Sequence, residues 1–218
     1  MRLGLFGGTF DPVHFGHLLL AEQCREQCGL DEVWFLPAGA PPHKRDTIIS
    51  DGRNRAEMLE LAIAGHRAFA VNRMELERAG TTFTIETLRH LHEEDPSREL
   101  YFIVGADSLA DLPTWREPRQ IARLATIVAV NRGINSAVEN TRHAQLSAVR
   151  EALGTVVADR VRFVTMPGIG LSATDIRRRV RADSSIRYMT PRAVEQYIAE
   201  HRLYRSDTGD STSTDSRG

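Results

Sequence analysis

The chain has 218 residues, enough for one domain with a substantial core, and its 41% hydrophobic and 26% charged content is ordinary for a globular protein. A net charge of −1 gives no basic field for nucleic acid, and no apolar run reaches the roughly 20 residues of a membrane span. No signal-peptide pattern follows Arg2. We therefore expect a cytoplasmic protein without a nucleic-acid or membrane partner.

Short apolar runs alternate along the chain with segments of helical periodicity. The runs predict strands at residues 3–6, 32–36, 68–71, 100–104, 126–130 and 160–164. The segments between them predict helices at residues 18–28, 53–64, 85–94, 121–123 and 144–153. Near-continuous apolar strands, such as residues 101–104, are typical of a parallel sheet covered on both faces. The pattern predicts an α/β fold, a doubly wound Rossmann-like parallel sheet with helices on both faces.

The C-terminal part is predicted to be helical, at residues 174–181 and 191–201, with Ser172 as the cap of the first helix. Residues 206–218 contain no apolar side chain and cannot contribute to a core. We therefore expect one folded domain over residues 1–205, followed by a disordered polar tail over residues 206–218.

The stretch from Gly7 to His17 reads GGTFDPVHFGH and joins the first predicted strand to the first predicted helix. Its glycines permit close approach of the backbone, and the helix start offers N–H groups with partial positive charge. His14 and His17 add further donors at this point. Neither G-x-G-x-x-G nor the Walker pattern is present. The stretch predicts a site for a nucleoside triphosphate, in which Asp11 either holds the loop or is an ordinary turn residue.

Three further motifs follow predicted strands and so belong at the same edge of the sheet. They are the loop at residues 37–44, the GADS sequence beginning at Gly105, and the pair Asn131-Arg132. Ligands of doubly wound sheets bind beyond the carboxyl ends of the strands. The motifs therefore predict one shared site.

Cys24 and Cys28 lie four residues apart on the first predicted helix, a spacing that places both on one face. No further ligand stands at metal spacing, so two buried thiols are favoured over a zinc pair. We assign no metal site and no disulfide.

The GTFDPVHFGH sequence resembles the signature of the nucleotidyltransferase superfamily that carries H-x-G-H after its first strand. Further blocks, in order, resemble those of bacterial nicotinate-nucleotide adenylyltransferases. These blocks are PPHK at 41–44, TFTIETL at 82–88, GADSLADLPTW at 105–115, Asn131-Arg132-Gly133, LSATDIR at 171–177 and RYMTPRAVEQYI at 187–198. The resemblance covers the chain up to Arg205, and the ordered set is more specific than H-x-G-H alone.

The resemblance implies that residues 1–205 are a nucleotidyltransferase domain. Its reaction would join ATP and nicotinate mononucleotide into deamido-NAD and pyrophosphate, in NAD biosynthesis, with Mg²⁺ on the ATP phosphates. The expected catalytic residues are His14, His17, Lys44 and Arg177. The other expected ATP contacts are Gly7, Gly8, Thr9, Phe10, His43, Gly105, Asp107, Ser172 and Thr174. A protonated imidazole would best serve the phosphates, and the histidine pKa of about 6.5 allows it.

The resemblance also implies a second subsite, for nicotinate mononucleotide. Trp115 is expected to stack on the pyridine ring, and Thr84 and the backbone N–H of Arg116 to bind the carboxylate. Arg132 is expected to bind the mononucleotide phosphate. Family members often follow this arginine with Pro-Gly, whereas Gly133 follows it directly here.

Three alternatives remain. In the first two, the same transfer uses another acceptor, either nicotinamide mononucleotide or phosphopantetheine. The phosphopantetheine enzymes are typically shorter and lack the TFTIETL and LPTW blocks. A non-catalytic nucleotide sensor is the third, and the intact His14, His17, Lys44 and Arg177 argue against it. A homo-oligomer is compatible with these features.

Overall fold

The computed structural model describes residues 1–39, 49–78, 80–133 and 136–205, except for the side chains of Arg132 and residues 136–140. His43, Lys44 and residues 206–218 therefore lie outside the described residues. Within the described ranges, no helix is both long and apolar enough to cross a membrane.

All neighbouring strands of the single sheet run parallel, in the order β3-β2-β1-β4-β5-β6. The strands are β1 (Arg2–Gly8), β2 (Glu32–Pro37), β3 (Phe69–Val71), β4 (Glu99–Gly105), β5 (Ala125–Arg132) and β6 (Val161–Met166). All six predicted strands are confirmed, most of them longer than the apolar runs that predicted them. The doubly wound parallel architecture is confirmed as well.

The longer helices fall where periodicity predicted them. They are α1 (Phe15–Cys28), α2 (Gly52–Ile63), α4 (Thr84–Glu94), α6 (Pro118–Leu124), α7 (Ser136–Leu153), α9 (Ala173–Arg181) and α10 (Arg192–Glu200). Short elements were not predicted, because four residues hardly complete one helical turn. These are α3 (Met74–Glu77), α5 (Ala106–Leu109), α8 (Thr155–Ala158) and a 3₁₀ turn at Leu112–Thr114.

Two apolar cores cover the two faces of the sheet, and alternate residues of each strand contribute to them. On β4, Tyr101 and Ile103 belong to one core, while Phe102 and Val104 belong to the other. The first core also buries Cys24 and Cys28 of α1, neither of them in a disulfide. Burial raises the pKa of both thiols, so they stay protonated. The prediction of two buried thiols is confirmed.

The carboxyl ends of the strands align at one edge. Gly8 of β1 pairs with Pro37 of β2, and Gly105 of β4 pairs with Val130 of β5. Because β1 and β4 are neighbours, the winding reverses between them and leaves a crevice beyond Gly8 and Gly105. The described residues that follow β1, β4 and β5 therefore share this edge, as predicted, while residues 40–44 of the motif after β2 lie outside the described residues.

Candidate active site

The loop between Gly8 and Phe15, which we call the glycine–histidine loop, is shaped by one buried aromatic ring. Phe10 has a φ of 50° and is 2% exposed, and its ring packs against Phe6 and Phe35 at centroid distances of 5.3 and 5.7 Å. A Cβ on Gly8 would lie 2.8 Å from that ring, so glycine is required there by the protein itself. The Phe10 side chain belongs to the core, which leaves only its backbone for a predicted nucleotide contact.

His14 and His17 meet at the start of α1. The backbone N–H of His14, the N-cap residue, donates to Nδ1 of His17 over 3.2 Å. The two rings stack with centroids 3.7 Å apart, and His14 is 4% exposed. Because Nδ1 of His17 is an acceptor, the neutral ring carries its proton on Nε2. The structure thus brings the two histidines together and uses Nδ1 of His17 as the acceptor at the start of α1.

Arg177 reaches the same loop from the C-terminal part of the chain. Its Nη1 donates to the carbonyl of Asp11 over 2.7 Å, and its Nη2 lies 3.4 Å from Oγ1 of Thr174. Ser172 caps α9, as predicted, by accepting from the backbone N–H of Asp175 over 3.1 Å. The LSATDIR block is therefore hydrogen-bonded directly to the glycine–histidine loop.

The predicted adenosine end lies across the crevice. A Cβ on Gly105 would meet no atom within 4 Å, so the space beside the end of β4 is open among the described residues. Asp107 is exposed in α5, two residues beyond Gly105. Gly7 is close to the same strand, because a Cβ there would lie 3.9 Å from the ring of Phe102.

A pocket of about 580 Å³ lies on the other side of β4. It is lined by Thr82, Phe83, Thr84, Ser108, Asp111, Thr114, Trp115, Arg116 and Ile121. The half-buried Trp115 packs edge-on against Phe102, with centroids 5.8 Å apart. The pocket thus brings together three of the four residues predicted to bind the mononucleotide. The fourth, Arg132, ends β5, and its side chain lies outside the described atoms.

Beside this pocket, the negative charge of Glu86 is paired with the positive charges of Arg116 and Arg78. Nη1 of Arg116 donates to Oε1 of Glu86 over 2.9 Å, and Nη1 of Arg78 lies 3.7 Å from Oε2. The Arg116 guanidinium also lies 4.8 Å from the centroid of the Phe83 ring. Because α4 begins at Thr84, the partial positive charge of its N-terminus is part of the pocket wall. The pocket therefore offers donors for an anionic group at Arg116 and at the start of α4, while Asp111 adds a carboxylate to its lining.

Comparison with known proteins decides the family. The model of the cytidylyltransferase-like family matches residues 5–179. The probable nicotinate-nucleotide adenylyltransferase of Thermomicrobium roseum is 46% identical over 94% of this chain and 92% of its own. A probable nicotinate-nucleotide adenylyltransferase of Thermus thermophilus is 43% identical over 94% of this chain and 100% of its own. The chain belongs to the nicotinate-nucleotide adenylyltransferases.

Solved structures share the fold of this adenylyltransferase. The nicotinic acid mononucleotide adenylyltransferase of Plasmodium falciparum, complexed with APC, matches with a TM-score of 0.71 over 93% of this chain and 96% of that one. The same protein complexed with NaAD matches with a TM-score of 0.70 over 93% of this chain and 97% of that one. The identities are 16% and 17%, so these matches establish the fold alone.

Several residues around the adenylyltransferase loop escaped the sequence analysis. Arg55 is 2% exposed and donates to the carbonyls of Thr9 and Ser50 over 2.9 and 3.0 Å. A signal was present, since Arg55 shares the apolar face of α2 with Met58 and Leu59. Tyr204 gave no such signal, because its contact with the loop spans almost the whole chain.

Proposed function

We propose that this protein transfers the adenylyl group of ATP to nicotinate mononucleotide, giving nicotinate adenine dinucleotide and pyrophosphate. The observation that carries the proposal is the position of Phe102, whose ring lies beside Gly7 on one side and packs against Trp115 on the other. One residue of β4 thus separates the glycine–histidine loop from the pocket that Trp115 lines. ATP in the crevice and a pyridine mononucleotide in the pocket would meet at the end of β4.

The reaction needs positioning more than covalent catalysis. A phosphate oxygen of the mononucleotide attacks the α-phosphorus of ATP. The bond between that phosphorus and the oxygen bridging it to the β-phosphorus breaks, and pyrophosphate leaves with this oxygen. Both partners are anions, so donors that neutralise charge and align them lower the barrier. His14 and His17 would supply such donors from the start of α1, and Arg177 would supply one from α9.

The remaining assignments of the ATP site extend this proposal. We assign Gly7, Gly8, Thr9, Gly105, Asp107, Ser172 and Thr174 to the ATP site, together with His43 and Lys44, which lie outside the described residues. Mg²⁺ would come with ATP as part of the substrate and neutralise charge on the leaving pyrophosphate. Among the described residues, no group of three or more His, Cys, Asp or Glu side chains forms a separate metal site.

Preference for the acid over the amide follows from the donors in the pocket. The hydroxyl of Thr84, the first-turn N–H groups of α4 and the backbone N–H of Arg116 can all donate to a carboxylate. Of the nearby carboxylates, Glu86 accepts from Arg116 over 2.9 Å and pairs with Arg78 at 3.7 Å, which leaves Asp111 in the pocket lining as the acceptor that an amide could use. An amide NH₂ placed against the Thr84 hydroxyl and these N–H groups, rather than against Asp111, would leave a donor unpaired.

Pyrophosphate release with ATP and Mg²⁺, followed with each mononucleotide in turn, tests the proposal. We expect the acid to be preferred by at least about tenfold in kcat/KM, or roughly 1.4 kcal/mol. Thr84→Val should reduce this preference, whereas Thr84→Ser, which keeps the hydroxyl, should retain it. Equal or amide-favouring constants would contradict the acid assignment, and no release with either acceptor would refute adenylyl transfer.

A further inference from the structure

The C-terminal part of the chain is bonded to the glycine–histidine loop at four points. Arg177 donates to the carbonyl of Asp11, and the hydroxyl of Thr190 donates to that of Val13 over 2.7 Å. The backbone N–H of Phe15 donates to the carbonyl of Met189 over 3.2 Å. The fourth bond joins side chains, from the hydroxyl of Tyr204 to Oδ1 of Asp11 over 2.6 Å. Segments separated by more than 160 residues thus meet at this loop.

Asp11 is the centre of this network. Its carboxylate belongs to a residue that is only 2% exposed, and its second oxygen, Oδ2, accepts from the backbone N–H of Ser50 over 3.2 Å. The buried Arg55 holds the chain on both sides of this carboxylate, since it donates to the carbonyls of Ser50 and Thr9. A buried carboxylate depends on its donors, because little water is available to replace a lost one.

Tyr204 is held in the protonated form that donation requires. Burial and the neighbouring charge of Asp11 raise the pKa of its hydroxyl above the usual value. Its backbone adopts a φ of 65°, in the left-handed region that side-chain-bearing residues seldom occupy. This local backbone cost persists only where surrounding contacts offset it. The short bond to Asp11 is one such contact.

We infer that Tyr204 is a positioning residue for adenylyl transfer, which acts through Asp11 to hold His14 and His17 in line with the reacting phosphates. Asp11 lies three residues before His14, in a loop that Phe10 enters with a φ of 50°. A loop of this kind must be held by contacts on both sides. The hydrogen bond from Tyr204, near the end of the described residues, is one of these contacts. The inference rests on the proposed function.

The test compares two tyrosine hydroxyls in the full-length protein. Tyr204→Phe removes the bond to Asp11. Tyr197→Phe is the matched control, because the Tyr197 hydroxyl donates to Oε2 of Glu57 over the same 2.6 Å, and its partners, Glu57 and Asn54, belong to α2 and not to the loop. Each variant is measured for pyrophosphate release well below its melting temperature, and for amide hydrogen exchange in peptides covering residues 9–17.

We expect Y204F to lower kcat by about tenfold, which corresponds to about 1.4 kcal/mol, with both KM values within about threefold of the parent. Exchange in residues 9–17 should become faster in Y204F alone. Y197F should stay within about twofold of the parent kcat. If Tyr204 acts through Asp11, the double variant Y204F/D11N should lose no more activity than the worse single variant.

The inference is overturned if Y204F keeps its kcat within twofold, if Y197F slows the enzyme equally, or if the losses in the double variant add. If Y204F is not obtained folded, D11N takes its place under the same criteria, because it removes the charge from the same bond. A parent protein that releases no pyrophosphate refutes the proposed function instead, and hydrogen exchange then decides the positioning role alone.

Discussion

Replacing His17 separates two roles that one imidazole combines. Its Nδ1 accepts from the backbone N–H of His14 and thereby caps α1, while its outer nitrogen is proposed to donate to the phosphates. His17→Ala removes both groups. His17→Asn keeps an acceptor oxygen near the position of Nδ1 but has no atom that reaches as far as Nε2. The pair of variants therefore distinguishes the cap from the chemistry.

The magnitudes follow from the two bonds. Loss of a helix cap costs about 1 kcal/mol, which lowers the melting temperature of a domain of this size by roughly 2–4 °C. Loss of one donor to developing charge costs about 10²-fold in kcat, or about 2.7 kcal/mol. We expect His17→Ala to show both losses. His17→Asn should recover at least half of the lost melting temperature, while its kcat stays as low as that of the alanine variant.

Thermal unfolding and pyrophosphate release on the same preparations provide the two readouts. A His17→Asn enzyme within threefold of the parent kcat would refute the role of the outer nitrogen. A His17→Ala protein that melts with the parent would instead show that the bond between His14 and His17 contributes nothing to α1.

Two further predictions concern stability. Burial raises the pKa of the Glu75 carboxyl, so the folded state is penalised once this group is charged. Glu75→Gln, which keeps an acceptor for Thr87, should therefore raise the urea midpoint at pH 8, and the gain should vanish as pH falls below the ordinary glutamate pKa of about 4.3. Removal of residues 206–218 should leave melting temperature and turnover unchanged, since they contain no apolar side chain, and a clear loss in either would show that they dock.

Periodicity and apolar runs were sufficient to predict the sheet. Residues 101–104 are apolar throughout because β4 is buried on both faces, and that pattern is typical of a central parallel strand. Short elements such as α5 remained hidden, since Ala106–Leu109 forms a single turn at the end of β4. Its position is set by the strand before it and the pocket beside it, which no local pattern encodes.

The sequence indicated which side chains of the candidate site donate hydrogen bonds, but not which residues hold those side chains in place. His14, His17, Arg177 and Trp115 stand in recognisable blocks, and the structure places the first three around one loop. The bond from Tyr204 to Asp11 joins residues 193 positions apart, so only the folded chain reveals it.

The proposed reaction explains why the loop is held from so many directions. A site that neutralises phosphate charge gains most when its donors are already fixed, because no energy is then spent on ordering them during the reaction. The glycine–histidine loop is fixed by its own buried side chains, Phe10 and Val13, and by Arg55, Arg177 and Thr190, which donate to its carbonyls. The parallel sheet provides the edge for the ligands, and the C-terminal part, up to Tyr204, is hydrogen-bonded to the loop at that edge.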